Sequence, residues 1–317
     1  MTQPLTVTLE TLTPIWTGGV DQNCDRLHET GLIGSLRWWY EALVRALGGY
    51  ACDPTSPDRC PEQKTGKHCV ACELFGCTGW ARKFRLLVQD KNGKPLQGCL
   101  EKDQVVVLKF IPLKPIADEE RYLLRVTILL IADYAALGGK TVFKPSDEQG
   151  QENALHHRDF GLVRVLSFSE NFCTANYAAV QNYVRSSTWR AGNHEYQDDQ
   201  GNTHSYAWAS IQNFWCVKDR YLARRDVNTS TFNKVIGRKQ PKPDCSTNRW
   251  LAGSQQESKK VFSFKTAKGK RTFGFVHPGL VDFNEVKAQL QSVWSDGFHF
   301  LTGEEILKQW FPLSNTQ

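Results

Sequence analysis

The stretch HCVACELFGCTG, residues 68–79, carries the densest chemistry in the chain. Cys69 and Cys72 form a C-x-x-C pair, and Cys52 and Cys60 precede it, giving C-x7-C-x8-C-x2-C spacing. Four thiolates complete a tetrahedral zinc site, and a C-x-x-C pair can grip one ion from a single tight turn. The residues between them are mostly Pro, Asp, Ser, Thr, Gly and Lys, with little apolar content to order the loop. A structural metal supplies the missing free energy, about 10 kcal/mol or more in small zinc modules. Disulfides would need an oxidising compartment. A redox C-x-x-C ordinarily opens a helix after a strand in a βαβ unit, a context the flanking text does not suggest. The spacing therefore predicts structural zinc on Cys52, Cys60, Cys69 and Cys72. Four sulfur ligands leave no open position, which argues against hydrolytic zinc chemistry. His68 and Cys77 lie close enough to compete for a place in the set. Cys77, after Leu-Phe-Gly, reads as a small packed residue.

The remaining signals are more diffuse. The net charge is +6, and its distribution matters more than its size. Basic clusters occur at Arg82-Lys83-Arg85, Arg220 to Arg225, Arg238-Lys239-Lys242 and Lys259 to Arg271. Such clusters can follow a phosphate backbone, although any one alone reads more readily as a solvated surface. The chain holds 10 Trp against one Met, and aromatics beside Arg are what single-stranded RNA binders use for stacking. Buried aromatics are the commoner case. No phosphate loop of the G-x-x-x-x-G-K-[ST] type and no H-E-x-x-H is present, so ATPase and metalloprotease chemistry are not indicated. No apolar run approaches the ~18 residues of a membrane span. The N-terminal text lacks a basic and then apolar leader, so a cytoplasmic protein is expected.

The elements that must position these residues follow from periodicity. Residues 5–16 alternate as a strand. Leu32, Leu36, Trp39, Leu43 and Leu47 recur at three-to-four spacing and predict a helix from Glu29 to about Leu47, stopped by Gly48-Gly49. RKFRLLVQD and DQVVVLKFIPL read as a strand pair with a turn region at Asn92-Gly93. Residues 117–137 predict a helix whose first-turn acids suit its dipole, and FGLVRVLSF a further strand. Strand, helix, strand, strand, helix, strand is the split βαβ, or ferredoxin-like, order, an α+β fold shared with RRM-like RNA-recognition domains. That order fills residues 1–168 and does not by itself fix function. In residues 169–317 the text predicts helices at 176–184 and 208–222, a long loop at 185–207, a short helix at 232–236, a hairpin from KKVFSFKT and RTFGFVHPG, and one or two helices within 283–311. A second, degenerate ferredoxin-like unit is expected there.

At this point an ordered set of motifs becomes informative. TLTPIWTGG, then ETGLIGSLRWWYEALVRALGG, CVACELFGCTGWARKFRL, ADYAALGGKTVFKP and HHRDFGLVRV together resemble the RAMP superfamily of CRISPR effector proteins, and within it the Cmr-one family of type III-B complexes. The likeness is strong over about residues 6–165 and weak beyond. It implies tandem ferredoxin-like folds and a non-catalytic subunit that binds the 3′ region of the guide (CRISPR) RNA. It also implies help in engaging target RNA beside other subunits of the Cmr effector complex in antiviral defence. Gly31, Gly34, Ser35 and Arg37 match the family's RNA-facing helix start. Free N–H groups and the helix dipole attract phosphate there, Gly34 permits close approach, and Arg37 could add a charge-assisted bond. Gly138, Gly139, Lys140 and Arg158 match its glycine-rich loop, departing from it in that residues 141–159 intervene before Phe160-Gly161. Arg82 and Lys83 would extend the RNA face. Two other functions fit the same text. One is a metal-independent guide-processing endonuclease using His28, His156 or His157 as general acid or base. The other is an assembly module that touches protein alone, with the Trp-rich second half as interface.

Overall fold

The computed structural model describes residues 3–18, 24, 26–96, 98–138, 145–151, 154–172, 175–224, 230–237, 245–253 and 258–311. Alternation in LTVTLET forms strand β1 (Leu5–Thr11), with Leu5, Val7, Leu9 and Thr11 turned inward. Helix α1 (Glu29–Ala46) buries Leu32, Leu36, Trp39 and Leu43, the face its periodicity marks. Helix α2 (Val70–Phe75) follows the cysteine loop. Strands β2 (Phe84–Gln89) and β3 (Val105–Pro112) pair antiparallel, helix α3 (Asp118–Tyr134) follows, and β4 (Val163–Phe168) closes the sheet. The strand order is β2-β3-β1-β4, antiparallel throughout.

Beyond it come α4 (Tyr177–Val184), a small hairpin of β5 (Glu195–Gln197) and β6 (Thr203–Ser205), and strand β7 (Phe214–Lys218). Helices α5 (Thr231–Val235) and α6 (Ser246–Ala252) lead to strands β8 (Val261–Phe264) and β9 (Arg271–Phe275). Helix α7 (Phe283–Gln291), strand β10 (Phe300–Thr302) and helix α8 (Gly303–Leu307) end the described chain. The second sheet runs β10-β7-β9-β8 and is also antiparallel. With β7 as its first strand, this is the order of the first sheet again. The molecule is thus a mixed α+β structure built on two antiparallel sheets.

The core crosses from one sheet to the other. Trp39 of α1 packs against Phe214, Phe273 and Phe275, with ring centroids 5.8, 6.1 and 6.0 Å away. Arg271 of β9 is buried, and its guanidinium donates to the carbonyls of Ala132 and Ala135 at 2.9 and 3.2 Å, satisfying acceptors at the end of α3. The chain after β4 does not leave the first sheet at once. Helix α4 packs on α3, and Val180 and Val184 join the common core. The second sheet begins only at Phe214.

The helix expected over residues 208–222 is instead strand β7. Its Phe-Trp-Cys-Val run is buried at every position, and an apolar run covered on both faces shows neither period. The loop expected at 185–207 holds the β5–β6 hairpin, while α6 and β10 lie in text too short or too polar to display a period.

One glycine is required by geometry beside the candidate site. Gly161 has φ +86°, its carbonyl accepts from Leu137 N at 2.7 Å, and a Cβ there would lie 2.1 Å from the Leu137 carbonyl oxygen. Gly161→Ala should therefore cost about 2 kcal/mol or more. An unchanged urea midpoint would contradict this.

Candidate metal centre and nucleic-acid interface

Cys69 is the N-cap of α2 and Cys72 lies in its first turn, so one short helix aims both sulfurs the same way. The C-x-x-C thus does open a helix, though no strand precedes it. Cys52 and Cys60 arrive from the loop. All four are buried and free of disulfides, and their Sγ atoms lie within 4.8 Å of one another. The Cys52 Sγ is 3.6 Å from that of Cys72 and 3.8 Å from that of Cys69. A tetrahedral ion with sulfur at about 2.3 Å requires sulfur–sulfur edges of about 3.8 Å. The cluster therefore has a spacing that can hold a metal ion. Burial works against a Cys69 thiolate, but hydrogen bonds with Cys52, Cys60 and Cys72 outweigh it and hold the pKa well below the usual thiol range.

The surroundings carry compensating charge. Arg37 places Nη2 3.1 Å from Cys72 Sγ, donates from Nη1 to Gly76 O at 2.8 Å, and pairs through Nε with Glu41 at 2.7 Å. Arg190 brings Nη1 to 3.9 Å from Cys60 Sγ. Four thiolates around a divalent ion carry two net negative charges, and outer-shell donors of this kind stabilise them. His68 and Cys77 stand outside the set. His68 pairs with Glu73 at 2.6 Å and stacks on Trp80 with centroids 4.7 Å apart. Cys77 is half-buried and pairs through its backbone with Trp80.

The structure divides the residues expected on the RNA face. Arg37 turns inward to the cysteines and Glu41, because the buried carboxylate and sulfurs offer it stronger partners than solvent does. Lys83 is likewise turned inward, its ammonium 2.6 Å from Glu73 and 2.9 Å from Glu120. As placed, both charges are met by groups within the chain. Arg82 is half-buried, with Nε donating to Phe84 O at 2.7 Å. Of the other five described positions, Gly31, Gly34, Ser35 and Gly138 converge. His28 N donates to Thr17 Oγ1 at 2.7 Å, which fixes the entry into α1. Gly31 lies against Thr17, where a Cβ would sit 3.1 Å from its methyl, and Gly34 faces open space with nothing within 4 Å of a Cβ position. Ser35 Oγ accepts from Gly138 N at 3.1 Å and so brings the glycine loop to the helix start. Gly138 has φ +113°, and a Cβ there would lie 2.8 Å from Trp16 O.

Arg158 is exposed, with its guanidinium 5.6 Å from the Phe160 ring centroid, and Phe160 packs edge-on to Trp16 at 5.5 Å. Gly139 and Lys140 lie outside the described residues, as do Arg225 and Arg238-Lys239-Lys242. His28 is half-buried, His157 is buried and His156 is exposed, the last two with ring centroids 4.1 Å apart.

Sequence reasoning did not single out Trp16 and Phe160 beside Gly138. It also missed a cleft of about 350 Å³ between α1 and the second sheet, lined by Ser35, Trp38, Gly138, Lys259, Lys260 and Phe262 among others. The signal was present as the Trp38-Trp39 pair and the Lys-Lys before VFSF, but only the fold brings them together. Among the described residues, no helix is long and apolar enough to cross a membrane.

Comparison with known proteins gives this geometry a setting. No curated protein sequence matches the chain. Among solved structures it is similar to a chain of the type III-B Cmr-beta complex bound to cognate target RNA, determined by cryo-EM. The TM-score is 0.51 at 8% identity, over 91% of this chain and 98% of that one. A second cryo-EM structure of that complex, with cognate target RNA and AMPPnP in the presence of single-stranded DNA, gives 0.50 at 8% identity over 93% and 100%. Apo Cmr1 from Pyrococcus furiosus gives 0.44 at 9% identity over 98% of each chain. At such identities the likeness to the Cmr-beta chains is one of fold. The family model of the RAMP superfamily matches residues 8–303, nearly the whole sequence, and the chain belongs to that superfamily.

Proposed function

We propose that the chain is a non-catalytic, RNA-binding subunit of a type III-B CRISPR effector complex, acting as a Cmr-one-type protein in the cytoplasm. It contacts the 3′ region of the guide RNA and helps engage target RNA, beside other subunits of the complex. Each half is a ferredoxin-like unit. The support is that both sheets carry the split-βαβ strand order, each with two helices in its first crossover. The resemblance in fold to chains of a Cmr complex solved with target RNA points the same way. Zinc on Cys52, Cys60, Cys69 and Cys72 is structural, holding the loop beside α1 and supplying no reacting group.

One observation carries the RNA reading. The start of α1 is uncovered at Gly34 while Gly138, from a distant loop, is tied to Ser35 one residue on. The Ser35 hydroxyl, which accepts from Gly138 N, keeps its own proton to donate to a phosphate there, and the bare Gly34 lets the strand come close. The His28 position at the same helix start keeps the nuclease reading testable. End-labelled single-stranded RNA incubated with the full chain without added metal should be retained on a filter and recovered intact. Cleavage that disappears in His28→Ala would replace this reading with a guide-processing one, and no retention at low salt would remove both.

A further inference from the structure

The cleft beside Ser35 is not explained by packing alone. Its α1 wall carries Trp38, half-buried and edge-on to Phe275 at 5.5 Å. Its opposite wall carries Phe262, half-buried and tilted against Phe273 at 5.3 Å. Lys259 and Lys260 stand on that second wall, and among the described residues no acidic one lines the space. Lys260 is buried, its ammonium donating to Ser258 O at 2.6 Å and lying 4.6 Å from the Trp208 ring centroid and 4.5 Å from that of Trp250, so its charge is held within the wall and Lys259 is the more accessible cation. At about 350 Å³ the space sits at the small end of ligand pockets, the size of a single planar group and not of a chain. Two of its lining residues, Ser35 and Gly138, are the pair that forms the phosphate seat. A strand lying along the start of α1 therefore passes the mouth of the cleft.

We infer that this cleft receives one unstacked base of a single-stranded RNA, held by ring contacts from Trp38 and Phe262, while the adjoining phosphate lies at Ser35 and Gly138. The inference rests on the RNA-binding reading and deepens it. Aromatic faces accept any base, because every base offers a π-face, and Lys259, half-buried on the same wall, matches the charge of a flanking phosphate.

The test uses the full, unmodified chain and a set of single-stranded RNAs, each with one 5-iodouridine at a different position. Irradiation followed by peptide mass spectrometry should place an adduct on Trp38 or Phe262 from one position of the strand. An abasic nucleotide at that position should weaken binding about tenfold, since stacking of one base is worth about 1–3 kcal/mol. The same abasic change should have no further effect in Phe262→Ala, which shows that base and ring act together even if that variant is less stable. RNA that binds normally, with adducts elsewhere and no abasic effect, overturns the base pocket and leaves the RNA-binding reading standing. Complete absence of RNA binding overturns both. Protection of Trp38 and Phe262 by a partner subunit's acidic peptide, and not by RNA, would make the cleft a protein-docking site and overturn the inference.

Discussion

Cys69→Ser should abolish metal binding by the cysteine cluster and loosen a segment more than a hundred residues away. The purified chain should carry about one zinc per molecule, and the variant close to none. Cys69 donates its backbone N–H to Cys60 Sγ at 3.3 Å and caps α2, so it organises the site as well as supplying a ligand. Structural zinc sites hold about 10 kcal/mol or more in isolated modules. In a chain with a large core of its own, the loss should show as about 5 kcal/mol, or a fall of roughly 10 °C in Tm. The loss should spread because the loop is clamped to the segment after α4. Arg190 donates to the carbonyls of Asp58 and Arg59 at 3.2 and 3.0 Å, and also pairs with the Asp58 carboxylate. Tyr50 and Tyr206 donate to that carboxylate at 2.8 and 2.5 Å, and Lys67 Nζ to Ser187 O at 2.7 Å. Limited proteolysis of Cys69→Ser should therefore open sites within residues 185–206. Cys77→Ser, outside the cluster, should keep its metal and its protease resistance. Equal metal loss in both variants would contradict the ligand set.

Arg45→Met should be the most damaging single change outside the cysteines. Arg45 is buried, and its guanidinium donates to Ala51 O at 3.1 Å, Cys52 O at 3.1 Å and Ala209 O at 2.8 Å. It joins the end of α1, the start of the cysteine loop and the approach to the second sheet. Methionine fills much of the volume but leaves three carbonyls without that donor, and Glu41 loses a cation 3.9 Å away. Removing one partner of a buried charged network typically costs about 3–5 kcal/mol. Arg164→Met, which breaks an exposed pair with Glu10, should cost under about 1 kcal/mol. The loss at Arg45 should also depend on pH. Burial pushes the Glu41 carboxyl up to about 7 despite Arg37 and Arg45. A carboxyl raised in the folded state contributes stability that is fully present below its unfolded pKa and is lost as pH rises through its folded pKa. Without Arg45 that pKa rises further, so the variant should be less destabilised at pH 5 than at pH 8. Denaturant midpoints at both values check the sign.

The first sheet and the cysteine cluster were legible in the sequence for the same reason: their signals are local. Alternation in LTVTLET and the three-to-four spacing of Leu32, Leu36 and Trp39 each reflect one buried face. Four cysteines in a polar loop have few alternative uses. The second sheet was not legible in the same way. Strand β7 is buried on both faces and so carries no period, and β10 is three residues long. The RNA face was partly legible. Gly34 and Ser35 lie together beside Gly138, as the motif order suggested, whereas Arg37 and Lys83 read in one dimension as cations free for RNA. Glu41 and the Cys52–Cys72 sulfurs, Glu73 and Glu120 become their partners only when α1, α2, β2 and α3 are packed together. Trp16, Phe160 and the cleft at Trp38 depend on contacts between distant segments, which no local pattern encodes.

The most direct measurement of the central claim is the affinity of single-stranded RNA for the full chain and for Gly34→Glu across a salt series. Gly34 has room for a side chain, and glutamate favours a helix over glycine by several tenths of a kcal/mol, so the variant should fold at least as well. Its carboxylate would stand where the phosphate is held. The account predicts that log affinity of the wild type falls linearly with log salt, and that Gly34→Glu binds about tenfold or more weakly at low salt with its Tm unchanged or raised. A wild type whose binding ignores salt, or a Gly34→Glu chain that binds RNA as the wild type does, would contradict it.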